Sequence, residues 1–299
     1  MPFYEIEFPL EPSSHDALDD ILEEIGALSV TYVDSTDDEP VFEPKPGEMR
    51  LWRATLVRAL FDQATEPPRT IAKLEQALGA SIAITARVRA VPDRVWERVW
   101  LDDWKPMRYG RRLWVCPTTA EAPADPAAVV VRLDPGLAFG TGSHPTTALC
   151  LTVLDSLNLD GCTVIDYGCG SGVLGLAALK LGASRVLAVD IDPQALIATR
   201  DNAARNAVDA HIRVQDPDAA FAGAALPQGD CVLANILAGP LIELKSRLTA
   251  ACARGGHLIL SGLLRNQADE VAAAYTPGFD ALEVLHQDEW CCIHARRAS

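Results

Sequence analysis

The sequence predicts an α/β protein: a mostly parallel sheet covered by helices, closed by an antiparallel pair of strands and preceded by a small α+β unit. Three observations carry that expectation. From about residue 129 onward, short apolar strands alternate with helical segments; a glycine-rich turn follows one of those strands; and residues 1–92 follow a different pattern. Strands that alternate with helices imply a parallel sheet with both faces covered.

The first unit is expected over residues 1–92. Residues 3–10 alternate apolar and polar side chains, the signature of a half-buried strand. Ser13 and Ser14 offer an N-cap to a helix carrying Leu18, Ile21, Leu22 and Ile25 on one face, and Gly26 closes it. A strand over 28–34, a proline- and acid-rich loop over 37–48 and a strand over 53–61 follow. Pro68 opens a second helix through Ile71, Leu74 and Leu78, Gly79 stops it, and 82–91 supplies the last strand. The order βαββαβ is the split, ferredoxin-like arrangement.

Residues 93–128 are read as a joint between domains. Trp96, Trp100, Trp104 and Trp114 are expected to pack a seam, with Arg98, Lys105, Arg108, Arg111 and Arg112 covering it through their aliphatic stems. Basic residues among tryptophans also suit base stacking. The charge of the whole chain argues against that: 26 Lys+Arg stand against 41 Asp+Glu, a net charge of -15. A general phosphate-backbone binder needs a basic face, whereas an acidic protein is steered toward a basic partner. No direct nucleic-acid binding is therefore expected.

Hydrophobic residues make up 49% of the 299 residues and charged ones 22%, which is enough to build a large core. The start lacks a basic segment followed by an apolar one, and no run approaches the ~18 apolar residues of a membrane span. A cytoplasmic protein without a membrane partner is expected. The eight cysteines form no C-x-x-C pair, and Cys291 and Cys292 would point to opposite faces of a strand, so reduced thiols and no metal are expected.

The third segment, 129–299, reads as strands at 163–166, 185–190, 211–214, 230–235 and 257–261, with a closing pair at 282–285 and 292–295. Helices are expected over 171–181, from Pro193 (capped by Asp192) to about 208, over 241–251 and over 265–275. Ligands of such sheets sit at the carboxyl ends of the strands, near the switch in strand order. Four segments should meet there: 166–172, 190–192, 216–218 and 235–238.

Gly168, Gly170 and Gly172 give a G-x-G-x-G turn with Asp166 just ahead of it. Dinucleotide sites use G-x-G-x-x-G, where a pyrophosphate meets a helix N-terminus. Here the third glycine comes one residue early and a carboxylate would lie beside the anion. S-adenosylmethionine (SAM) carries a sulfonium and an amino group instead of a phosphate, and tolerates that carboxylate, so the spacing favours SAM over NAD. Asp190, at the end of the next strand, is placed to accept hydrogen bonds from two ribose hydroxyls, which either ligand would supply. Asn235 presents an amide at the end of an otherwise apolar strand, where transfer would occur; it also suits a plain turn before Pro240.

The motifs Phe139-Gly-Thr-Gly-Ser-His-Pro-Thr-Thr147, Val164-Ile-Asp-Tyr-Gly-Cys-Gly-Ser-Gly172, Val189-Asp-Ile-Asp-Pro193 and Ala234-Asn-Ile-Leu-Ala-Gly-Pro240 occur in the order seen in the PrmA family. These are the bacterial ribosomal protein L-eleven methyltransferases, and the chain resembles them over essentially its whole length. One small departure is Ser143 in place of a threonine, which keeps the hydroxyl. The resemblance implies a class I, Rossmann-like methyltransferase domain behind a ferredoxin-like substrate-recognition domain. It implies SAM contacts at Thr147, Gly168, Asp190 and Asn235, and a flap formed by Phe139 and Gly140. With Asp166 and Gly170 these residues make up the expected donor site, and Asn235 is the expected catalytic residue. It also implies a substrate: the lysine ε-amines and N-terminal amine of ribosomal protein L-eleven, free or ribosome-bound, carried to trimethylation. Methyl transfer from a sulfonium expels a neutral thioether and needs no acid, so His144 is expected to shape its loop. Three rivals stand beside this reading: a SAM methyltransferase acting on another protein or a small amine, a non-enzymatic ribosome-binding or scaffold protein that would not need an intact donor site, and a NAD-dependent enzyme.

Overall fold

The computed structural model describes residues 3–10, 18–35, 54–62, 66–78, 85–91, 105–134, 142–223 and 227–299. The chain divides into two compact units, Met1–Val99 and Trp100–Ser299.

The first unit comprises β1 (Phe3–Pro9), α1 (Leu18–Ile25), β2 (Ser29–Asp34), β3 (Thr55–Asp62), α2 (Pro67–Leu78) and β4 (Arg87–Val91). Its sheet has the order β2-β3-β1-β4 with every pair antiparallel, the ferredoxin-like topology. The period-two pattern sorts the faces. Tyr4, Ile6 and Phe8 of β1 and Val57, Ala59 and Phe61 of β3 are buried, and Leu18, Leu22 and Leu74 of the helices close over them. The buried Tyr4 hydroxyl is satisfied by Thr70 at 2.6 Å. On the other face Glu7 and Arg58, directly opposite each other in the register, form an ion pair at 2.8 Å.

The second unit opens with a small sheet, β5 (Met107–Tyr109), β6 (Leu113–Cys116) and β7 (Val129–Arg132), followed by α3 (Pro145–Ser156). Alternating elements follow: β8 (Thr163–Tyr167), α4 (Val173–Lys180), β9 (Arg185–Val189), α5 (Pro193–Arg205), β10 (Ile212–Gln215), α6 (Pro217–Phe221), β11 (Gly229–Asn235), α7 (Ala238–Glu243), α8 (Lys245–Ala251), β12 (Cys252–Leu264), α9 (Ala268–Tyr275), β13 (Phe279–Gln287) and β14 (Trp290–Arg297). The main sheet has the order β10-β9-β8-β11-β12-β14-β13. Strands β8 to β12 run parallel, and β14 runs antiparallel to both neighbours. The strand order reverses between β8 and β11, which makes the carboxyl ends of these two strands the switch point.

Alternate residues of each strand feed two cores. Val164, Cys231, Leu233, Ile259 and Cys292 meet α3 and α4 on one face, while Ile165, Val232, Leu258, Cys291 and Ile293 meet α7, α8 and α9 on the other. The adjacent cysteines thus point to opposite faces.

The stretch read as a joint contributes its described part, from Lys105 onward, to this second unit. Tyr109, Leu113, Val115 and Val131 of the small sheet are buried in the same core as α3 and α4. Asp155 of α3 braces the hairpin by accepting the backbone N–H groups of Arg111 at 2.5 Å and Arg112 at 3.3 Å. The Arg108 guanidinium lies 5.7 Å from the centre of the Trp114 ring. Trp96, Trp100 and Trp104 lie outside the described residues. The helix expected over 241–251 starts earlier, at Ala238, and breaks at Leu244 into α7 and α8.

Candidate functional site

The carboxyl edge of the main sheet holds a cavity of about 710 Å³, within the ~300–1,000 Å³ range of small-molecule sites. Its floor is the turn between β8 and α4. Gly168 there has φ +76°, and a Cβ at that position would lie 2.3 Å from Ile236 Cγ2, so only glycine lets the β8 turn and the loop after β11 touch. Gly168 and Gly170 both line the cavity.

Asp190, at the end of β9, forms the adjoining wall. One carboxylate oxygen accepts the Gly170 N–H at 2.8 Å and the other the Asp192 N–H at 3.0 Å. A carboxylate oxygen has two lone-pair sites, so both retain acceptor capacity for a vicinal diol. The helix cap is a separate duty, met by Asp192, whose side chain accepts the Gln194 N–H at 2.9 Å.

Asn235, at the end of β11, lines the cavity on the other side of the turn. Its Nδ2 donates to Thr147 Oγ1 at 3.3 Å, and its buried Oδ1 has no hydrogen-bond partner. A buried carbonyl oxygen without a donor costs on the order of 1–3 kcal/mol. Thr147 itself is wholly buried in α3, behind Asn235 and off the cavity wall. Its hydroxyl is the acceptor for the Asn235 amide.

Asp166 is likewise off the wall. Its side chain is fully buried beneath the turn, where Oδ2 accepts the Gly175 N–H at 2.9 Å and Oδ1 has no partner. Burial raises its pKa from 3.8 to about 7; the Gly175 hydrogen bond opposes that rise and the Asp190 charge adds to it. Phe139 and Gly140 lie outside the described residues.

His144 caps α3. Its Nδ1 accepts the Thr146 N–H at 3.4 Å and pairs with Thr146 Oγ1 at 2.8 Å, which assigns the remaining proton to Nε2. Burial lowers its pKa, so the imidazole is neutral. The ring stands edge-on to Trp290, with centroids 4.7 Å apart. Both residues line the cavity, as does Gly262 of β12. A Cβ on Gly262 would lie 2.3 Å from the Ile236 carbonyl oxygen, so the loop after β11 rests directly on this glycine.

Three of the four segments expected to converge do so: the β8 turn, 190–192 and 235–238. Asp216 instead caps α6 through the Ala219 N–H at 2.9 Å and does not line the cavity. Ile191 and Leu237, which follow the two polar anchors, were not singled out in the sequence. They are 83% and 54% exposed at the cavity, and such exposed apolar chains beside polar anchors offer contact surface for a flat ring. Among the described residues no group of three His, Cys, Asp or Glu side chains could hold a metal ion, and no helix is long and apolar enough to cross a membrane.

The family model described as Ribosomal protein L11 methyltransferase (PrmA) matches residues 2–298. A ribosomal protein L11 methyltransferase of Pectobacterium atrosepticum is 48% identical over 297 residues, spanning 99% of both chains. One of Vibrio cholerae is 47% identical over 301 residues, again 99% of both. The crystal structure of ribosomal protein L11 methylase from Lactobacillus delbrueckii subsp. bulgaricus superimposes with a TM-score of 0.59 at 31% identity, covering 66% of this chain and 100% of that one.

Proposed function

This chain belongs to the ribosomal protein L11 methyltransferase family, and on that premise we propose that it transfers methyl groups from SAM to the lysine ε-amines and N-terminal amine of ribosomal protein L11. One observation carries the reading: Asp190 and Asn235 stand on opposite sides of one glycine turn, the first with spare acceptor capacity for a ribose, the second with an unpartnered buried oxygen.

The bound donor supplies an electrophilic methyl group on a leaving thioether that departs neutral. The protein must therefore present a neutral amine, in line, away from water. A free lysine has a pKa near ~10.4, so only about one in a thousand is neutral at pH 7.4. The apolar cavity disfavours the ammonium by desolvation, and Asn235 Oδ1 accepts an amine N–H, which turns the nitrogen lone pair toward the donor. Thr147 engages Asn235 Nδ2, which leaves Oδ1 as the group of this amide that can accept the amine N–H. His144 does not serve as the base, because its Nδ1 lone pair is committed to Thr146.

The ferredoxin-like unit is the part we assign to substrate recognition, and the unit beginning at Trp100 to transfer. Phe139 and Gly140 are assigned to a flap over the donor. The substrate is met in the cytoplasm, free or on the ribosome, through protein contacts without direct nucleic-acid binding, in keeping with the net charge of -15. Incubating the purified chain with labelled SAM and L11, then mapping modified residues by mass spectrometry, tests the proposal. Label on L11 lysines and the N-terminal amine is expected; SAM binding with no label on L11 would overturn the substrate assignment.

A further inference from the structure

The cavity follows the strand order along the carboxyl edge of the sheet: Asp190 after β9, Gly168 after β8, Asn235 on β11, Gly262 on β12 and Trp290 on β14. If Asp190 holds the ribose and Asn235 marks the point of transfer, the remaining end belongs to the acceptor. Gly262, Trp290 and His144 bound it. Its character differs from the donor end: the charged lining groups are Asp190 after β9 and Glu243 on α7, whereas β12 and β14 contribute none, and His144 is neutral.

We propose that Trp290, buttressed by His144, is the acceptor-side positioning residue that holds partly methylated amines, so that one docked amine passes through successive transfers. The inference rests on the function proposed above and adds a division of labour to it. In each round an N–CH3 bond forms from the amine lone pair as the S–CH3 bond breaks with its electrons on sulfur; after the first and second rounds the resulting ammonium loses a proton to solvent water, and the third leaves a quaternary cation with no proton to lose. Each round also replaces one N–H by a methyl group. A primary amine offers Asn235 Oδ1 two hydrogens, a monomethylamine one, and a neutral dimethylamine none. Asn235 therefore cannot position the substrate of the third transfer. An aromatic ring can, because each N-methyl group adds apolar surface that packs on the ring, and the cationic product is attracted to its face. His144 fixes the indole by its edge-on contact at 4.7 Å, and α3 in turn fixes His144 through the cap on Thr146.

The test compares wild type with Trp290→Leu and Trp290→Phe, following intact L11 mass over time at saturating SAM and measuring SAM affinity separately. Trp290→Leu should slow the third transfer about 10-fold more than the first, so that mono- and dimethylated protein accumulates; about 1.4 kcal/mol corresponds to that factor. Trp290→Phe should restore trimethylation. Wild-type product distribution in Trp290→Leu would overturn the proposal, and so would an equal loss at all three steps with SAM binding intact. A second measurement is independent of L11: wild type should bind trimethyllysine more tightly than lysine, and Trp290→Leu should abolish that preference. If L11 is not labelled but the preference is present, the substrate assignment fails and the role of Trp290 stands; if the preference is absent, the role of Trp290 fails.

Discussion

Asp166→Asn isolates the cost of a carboxyl group placed in the core beneath the glycine turn. Asp166 is wholly buried, with one oxygen on the Gly175 N–H at 2.9 Å and the other without a partner. Its pKa is raised from 3.8 to about 7, which makes ionisation of the folded state costlier than that of the unfolded state by about 4 kcal/mol, at ~1.36 kcal/mol per tenfold. The sign follows from proton binding. The folded chain holds this proton more tightly, so the stability is complete below the unfolded pKa and is lost as pH rises through about 7. Between pH 5 and pH 8 the wild type should lose on the order of 2 to 3 kcal/mol that Asp166→Asn keeps. The asparagine oxygen still accepts the Gly175 N–H, while its new NH2 lacks an acceptor and costs about 1–3 kcal/mol at every pH. The variant should thus be weaker at pH 5, with the gap closing or reversing by pH 8. His144, His257 and His294, whose pKa values burial lowers, contribute the opposite slope, but they do so in both proteins and cancel in the difference. Urea unfolding of donor-free protein at pH 5, 6.5 and 8 reads it directly. Stability curves that stay parallel to within about 0.5 kcal/mol across that range would refute the assignment, since the predicted difference is several times larger.

Asp190→Ala should weaken SAM binding by about 1.5–3 kcal/mol, roughly 10- to 150-fold, and lower stability as well because the Gly170 and Asp192 N–H groups lose their acceptor; calorimetry giving wild-type affinity would exclude the ribose role. Asn235→Ala should lower kcat more than SAM affinity, and Thr147→Val, which removes only the acceptor for Asn235 Nδ2, should act in the same direction with smaller effect. Equal losses in kcat and affinity would make Asn235 a donor contact alone. A fragment of Trp100–Ser299 should bind SAM yet fail to methylate folded L11, whereas one beginning at Ala120 should not fold, because it lacks the buried Tyr109, Leu113 and Val115. Full activity of the longer fragment on L11 would remove the recognition role from the first unit.

The parts of this protein that were legible in its sequence share one physical property: their environment has a single direction. The strands of the first unit bury one face, so Tyr4, Ile6 and Phe8 spell a period of two. Gly168, Asp190 and Asn235 each follow an apolar strand at its carboxyl end, where polar groups and sharp turns are informative. The helix α3 was not read because it lies between the main sheet and the small sheet β5–β7 and is buried almost all round, which leaves no amphipathic stripe. Trp290 opens a strand, and the opening of a strand is the wrong end for a ligand in a parallel sheet. It reaches the cavity only because β14 runs antiparallel to β12 and so begins where β12 ends, with Trp290 opposite Leu264. Parity explains the rest. Asp166 and Tyr167 are neighbours on β8, one turned into the core with α4 and the other onto the cavity. Thr146 and Thr147 divide the same way on α3, Thr146 on the cavity wall and Thr147 behind it. Sequence motifs identified both pairs as belonging to the site, but which member faces the ligand depends on a register of one residue, and that register is set by packing against elements remote in the chain.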